Sequence, residues 1–227
     1  VKEETLRDLR LGNRIDDRYR LESQLGAGGM GIVYRAIDET LGRPVAIKFL
    51  LGERLDGHFR ARFTEEARVL ARLEHRHIVR LLDFSDDGQS PYLVCEYVDG
   101  LTISEHVDVA GALPIDEALT WATQLCAAMT YAHARGVLHR DLKGENVMID
   151  DDGQLKVMDF GLARREDRQT KLTETGAVMG TATYVSPEVI MGQPATEAAD
   201  IYSAGVIFFG MLCGQPPFGG TSSYDVL

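Results

Sequence analysis

The chain has 227 residues, 44% hydrophobic and 26% charged, enough apolar material for one large domain or two small lobes. A formal net charge of −11 with no dense Lys/Arg run argues against nucleic acid as a partner. No apolar run approaches the ~18 residues of a membrane span and no signal peptide opens the sequence. The chain as given therefore reads as soluble, and a longer parent could carry a membrane anchor beyond Leu227.

Val1 to Asp17 is charged and weakly patterned, the composition of a flexible or loosely docked leader. From Tyr19 the text becomes YRLESQLGAGGMGIVYRAID, strand-like residues on both sides of a glycine cluster. Gly26, Gly28 and Gly31 form GxGxxG between two strands, not between a strand and a helix. That context argues against a dinucleotide fingerprint and for a flap over a triphosphate. Alone, the motif fits a tight-turn hairpin equally well. Glycine would let backbone N–H groups approach phosphate oxygens where a Cβ would obstruct them.

PVAIKFL, Pro44–Leu50, predicts a strand with one embedded charge, Lys48, which without context would mark a solvent face. His58 to Leu73 predicts a helix, with Phe63, Ala67, Leu70, Ala71 and Leu73 at helical spacing. His75 and His77 read as structural residues, not as ligands. YLVCEYV, Tyr92–Val98, predicts a buried strand running into Asp99-Gly100. Pro114 to Arg135 predicts a long amphipathic helix whose apolar face is Ile115, Ala118, Leu119, Ala122, Leu125, Met129 and Ala132, ended by Gly136. His133 on it reads as a packing residue. Cys95, Cys126 and Cys213 are far apart, odd in number and without metal spacing. Reduced, buried thiols in a cytosolic compartment are expected.

The rest of the chain is organised around VLHRDLKGENVMIDDDGQLKVMDFG, Val137–Gly161. Asn146–Ile149 and Leu155–Met158 flank an acidic turn closed by Gly153, which predicts a β-hairpin. The hairpin would bring Asp141 and Asp159 to one cavity, with Lys143 and Asn146 beside them. Two carboxylates, an amide and an ammonium suit Mg²⁺ and phosphate. HRDLKxxN followed thirteen residues later by DFG resembles the catalytic and metal-binding loops of protein kinases. The glycine flap, and VAIK seventeen residues after Gly31, extend that resemblance, as do the GTxxYxSPE segment and the DxxSxG opening at Asp200. It runs from about Tyr19 to Phe218 and is nearest to bacterial eukaryotic-like (Hanks-type) Ser/Thr kinases.

The resemblance implies a two-lobed α+β fold: a leader (1–18), a small antiparallel lobe with one helix (19–95), a hinge (96–100) and a mainly helical large lobe (101–227). It implies ATP and Mg²⁺. Gly26, Ala27, Gly28, Gly31, Val33, Ala46, Cys95 and Met148 would surround the nucleotide, with Glu96 C=O and Val98 N–H on the adenine edge. Lys48 would grip the α- and β-phosphates, held by a carboxylate. Of Glu65 and Glu66, Glu66 is expected because it shares the inward face with Leu70. Asn146 and Asp159 would hold the metal, Asp141 would orient the acceptor hydroxyl, and Lys143 would neutralise the moving phosphoryl group. His139 would stack under Phe160 and not act as a base. Thr181 would contact Asp141 and Lys143.

The long polar loop after Gly161 would be regulatory, with Thr173 and Thr175 as phosphorylation sites and Arg140 as the cation that pairs with the phosphate. A protein substrate with a Ser or Thr acceptor, a homodimer for trans-autophosphorylation, and a cytoplasmic location (or the cytoplasmic face of a membrane) follow from the same resemblance. The alternative reading is a catalytically idle kinase-like scaffold. Gly144, where proline is commoner, would loosen the catalytic loop. Gly210, where glutamate is usual, weakens the expectation of arginine-rich substrates. The end at Leu227 predicts a truncated large lobe with an apolar patch around Phe208, Phe209 and Leu212, and low stability for the isolated chain.

Overall fold

The computed structural model describes residues 11–28, 31–50, 57–86, 91–160 and 182–218. The expectations for Gly161, Thr173, Thr175 and Thr181 lie outside the described residues. The chain forms two compact units, each described by itself. The first holds the described residues up to Glu74 together with Val79–Val98. The second holds His75–Ile78 and the described residues from Asp99 onward.

The first unit is a six-stranded antiparallel sheet, β1 (Arg14–Ile15), β2 (Tyr19–Gly28), β3 (Gly31–Asp38), β4 (Arg43–Leu50), β5 (Leu81–Ser85) and β6 (Tyr92–Glu96), with one helix, α1 (Gly57–Leu70). Strand order is β1-β2-β3-β4-β6-β5. Alternation drives the layering: Val45, Ile47 and Phe49 of β4 are buried on one face while Ala46 and Lys48 between them face the other. Leu21, Tyr34 and Val94 complete that core. Tyr34 meets Phe49 edge-on at 5.9 Å, and Phe49 meets Tyr92 at 5.5 Å. Phe63 and Ala67 of α1 are buried, and Phe63 packs edge-on against Phe84 of β5 at 6.1 Å.

The residues read as the end of a leader form an edge of this sheet. Arg14 and Ile15 pair with Arg20 and Tyr19, and the Tyr92 hydroxyl donates to Asp16. Arg18 grips the buried carboxylate of Asp38 with two hydrogen bonds, 3.0 and 2.8 Å, and holds it below the usual carboxylate range.

In the second unit, β7 (Gly100–Thr102), β8 (Val147–Asp150) and β9 (Leu155–Val157) form a three-stranded sheet in that order. The hairpin read from the sequence is β8–β9, its turn closed by Gly153 N–H on Asp150 O at 2.8 Å. Helix α2 (Ile103–Ala110) starts in a capping box, in which Thr102 and Glu105 satisfy each other's backbone N–H. Helices α3 (Ile115–His133), α4 (Pro187–Ile190) and α5 (Glu197–Cys213) follow.

Two expectations change, and that of an apolar patch on α5 is met in part. The buried face of α3 is Ala118, Trp121, Leu125, Ala128, Met129 and Ala132, while Ile115 and Leu119 are exposed. Trp121, 5.0 Å from the His106 ring of α2, draws the face round toward α2. On α5, Phe209 is exposed, and Phe208 and Leu212 are half-buried. Cys126 and Cys213 are exposed and Cys95 is half-buried, all three as thiols. Spacing alone set them among apolar neighbours, but helix rotation turns two of them outward.

Candidate active site

Lys48 lies between two core side chains of β4, so it points to the sheet's other face. Register puts Val33 of β3 and Leu93 of β6 directly opposite Lys48, and Arg35 and Cys95 opposite Ala46. Opposed residues of antiparallel strands share a face. Val33, Ala46, Lys48 and Cys95 therefore line one half-buried surface, away from the aromatic core. On α1, Glu65 is exposed and lies 3.8 Å from Arg68, whereas Glu66, beside buried Ala67, is half-buried. Glu96 continues β6, its N–H donating to Arg80 O at 2.9 Å.

The three glycines of the flap differ in kind. A Cβ on Gly31 would lie 2.0 Å from Phe49 O, so the pairing of β3 with β4 itself requires glycine there. Gly26 and Gly28 have nothing within 4 Å of a Cβ. Within the described residues, the fold gives no reason for glycine at these two positions. They sit opposite Val33 and Gly31, at the tip end of the β2–β3 ladder with Ala27 between them. A cradle kept open in this way suits an approaching phosphate.

In the second unit the segment His139–Asp141 is shaped from below by α5. Asp200, 2% exposed, accepts the N–H of His139 on Oδ2 and of Arg140 on Oδ1, both at 2.8 Å. His133 Nε2 lies 2.9 Å from the same Oδ2, so His133 is part of a polar clasp and not only a packing residue. The clasp holds Arg140 at φ +65°, a conformation that costs a side-chain-bearing residue energy unless its surroundings impose it.

His139 is fully buried. Its Nδ1 accepts the N–H of Asp141 at 3.3 Å, and its Nε2 lies 2.9 Å from Met158 O. A carbonyl can only accept, so Nε2 carries the hydrogen and the ring is neutral. Burial holds its pKa below the ordinary value in the same sense. Its ring meets Phe160 at 4.7 Å.

Asn146 anchors the remaining groups. Its amide nitrogen donates to Asp141 O at 2.8 Å and approaches Asp141 Oδ2 at 3.5 Å, which leaves Oδ1 as the end available to a cation. The backbone carbonyl of Asn146 accepts the N–H of Met158 at 2.9 Å, setting Asp159 one residue from that bond, exposed and at φ +59°. Lys143 Nζ lies 3.9 Å from Asp141 Oδ2. Met148, on β8, is half-buried opposite Thr102 and Lys156. Asn146 and Asp159 supply hard oxygen donors, few in number, as suits Mg²⁺, which keeps waters and takes substrate phosphate oxygens.

The protein kinase domain family matches residues 19–226. The chain is a member of the protein kinase family. It is 42% identical over 218 residues to the probable serine/threonine-protein kinase PknB of Corynebacterium glutamicum, covering 93% of this chain and 34% of that one. Against the serine/threonine-protein kinase PrkC of Bacillus subtilis it is 39% identical, covering 95% and 33%. The crystal structure of the Mycobacterium tuberculosis PknI kinase domain superposes with a TM-score of 0.74 at 30% identity, covering 92% of this chain and 79% of that one. The chain thus spans about a third of the length of the curated relatives it matches.

The kinase family pattern carried no role for three residues that shape the site. Asp200 was legible only as part of a motif. Gln124 of α3 accepts the N–H of Leu155 at 2.7 Å and so ties β9 to the helix. Ser104 of α2 occupies the space beside Gly144: a Cβ there would lie 2.5 Å from Ser104 Oγ. Glycine at 144 thus lets the Ser104 hydroxyl pack against the turn, and that contact offsets the expected loosening.

Proposed function

We propose that this chain is the catalytic domain of a serine/threonine protein kinase, moving the γ-phosphoryl group of ATP to a Ser or Thr hydroxyl of a protein. The observation that carries the reading is the Asp200-held loop. It fixes Asp141 beside Lys143 and turns the amide oxygen of Asn146 away from Asp141.

Asp141 orients the acceptor hydroxyl and takes its proton as the new P–O bond forms and the bond to the β-phosphate oxygen breaks. Lys143 places a positive charge beside that carboxylate, where negative charge gathers on the transferring group. Lys48, on the open face of the sheet, grips the α- and β-phosphates, with Glu66 its carboxylate partner. Gly26 and Gly28 let the flap backbone approach them. Val33, Ala46, Cys95 and Met148 hold adenine by apolar contact, and the backbone of Glu96 and Val98 reads its edge. Asn146 and Asp159 would hold Mg²⁺, which would neutralise phosphate charge. Arg140 with Thr173 and Thr175 forms the regulatory set, in a cytoplasmic setting.

The test is incubation with Mg²⁺ and labelled ATP, followed by mass spectrometry of the chain and of an added protein substrate. Asp141→Asn is expected to slow transfer by about 10²–10⁴-fold. Lys48→Met and Asp159→Asn are expected to abolish it while the melting transition stays in place. Wild-type turnover in any folded variant of the three would overturn the assigned roles.

A further inference from the structure

The first unit carries a device that none of the assigned roles uses. Glu22 sits at an irregularity of the β2–β3 ladder: Leu21 pairs with Ala36 and Ser23 with Arg35, so Glu22 is the extra residue of a β-bulge. Bulges re-aim a side chain. This one sets the Glu22 carboxylate against the guanidinium of Arg35, with its second oxygen 3.1 Å from Arg20. Arg35 lies on the same sheet face as Ala46 and Cys95, and its Cζ stands 5.2 Å over the ring of Tyr97.

Tyr97 is the residue between Glu96 and Val98. The peptide plane that carries the Glu96 carbonyl turns about the φ of Tyr97, and the plane that carries the Val98 N–H turns about its ψ. Both groups assigned to the adenine edge therefore pivot on one Cα. We propose that Glu22, Arg35 and Tyr97 form a positioning chain that fixes the direction of these two groups and so sets affinity for the purine base. The chain works from the bulge through the cation–π contact to the backbone, and none of its three side chains needs to touch nucleotide. This rests on the kinase reading given above.

A cation–π contact at a partly exposed site corresponds to about two- to five-fold in affinity. The experiment measures binding of Mg·ATP, adenosine and tripolyphosphate to the chain and to single and double variants. Arg35→Met is expected to weaken Mg·ATP and adenosine by the same about two- to five-fold factor and to leave tripolyphosphate unchanged. Tyr97→Phe, which keeps the ring, should bind as wild type. Tyr97→Leu should match Arg35→Met, and the double variant should be no weaker than either.

Equal losses for tripolyphosphate and adenosine, additive losses in the double variant, or an unchanged Arg35→Met would each overturn the proposal. If Tyr97→Leu fails to melt cooperatively, Arg35→Met in the Tyr97→Phe background still decides, because it must cost what it costs in wild type. A wild-type chain that binds no Mg·ATP would remove the kinase reading and this proposal together. Binding by wild type with no effect of Arg35→Met would remove this proposal alone.

Discussion

The buried carboxylate of Asp200 accepts the backbone N–H of His139 at 2.8 Å across 61 residues of sequence. With Arg140 N–H and His133 Nε2 it has three partners, so removing its charge removes the template of the loop. Asp200→Asn places an NH₂ against groups that donate. It should cost about 1.5–3 kcal/mol for each charged hydrogen bond lost. Denaturant melts would show this, and phosphoryl transfer should fall further than stability alone explains, because Arg140 loses what imposes its positive φ. A variant with wild-type stability and rate would mean that the loop holds itself.

Gly144→Ala should destabilise by about 1–3 kcal/mol, since its Cβ meets Ser104 Oγ at 2.5 Å. Combining it with Ser104→Ala should recover part of that loss, because the tightest contact is to the hydroxyl. Additive losses in the double variant would place the strain on the backbone instead.

His139 is neutral in the folded chain, with its pKa lowered by burial. The unfolded chain protonates this ring near pH 6.5, so below that value the unfolded state binds more protons and stability falls with pH. The loss approaches about 1.4 kcal/mol per pH unit for this one group. His77, buried and likewise lowered by desolvation, adds to the same slope. Urea melts between pH 7.5 and 5.5 measure it. His139→Phe, which removes the titrating ring but keeps an aromatic against Phe160, should flatten the dependence.

Ser186 stands at the N-cap of α4, yet its hydroxyl makes no capping bond and is buried without a hydrogen-bond partner among the described residues. An unsatisfied buried hydroxyl costs about 1–3 kcal/mol in desolvation. Ser186→Ala should therefore raise the melting temperature or leave it unchanged, and a clear drop would reveal a partner for the hydroxyl.

Alternation in Val45–Phe49 and the Asp-rich turn closed by Gly153 are local signals, and both led to the strands observed. The grouping of Asp141, Asn146 and Asp159 was legible because motif spacing carries it. What supports them was not. Asp200 acts across 61 residues, and an aspartate in an apolar helix says nothing about which backbone it faces. β1 has only two residues, too short for periodicity, and owes its place to pairing with Arg20 and Tyr19. The exposed Ile115 and Leu119 fit the helical period as well as Trp121 does. Only the partner surface chooses between them.

The unequal glycines of the flap make the fold and the chemistry separable by selection. A library screened only for soluble, folded protein should keep glycine at 31, where Phe49 O leaves no room, and let 26 and 28 drift to alanine or serine. A library screened for phosphoryl transfer should hold all three. The positions at which those two populations diverge would trace the outline of the nucleotide on the sequence.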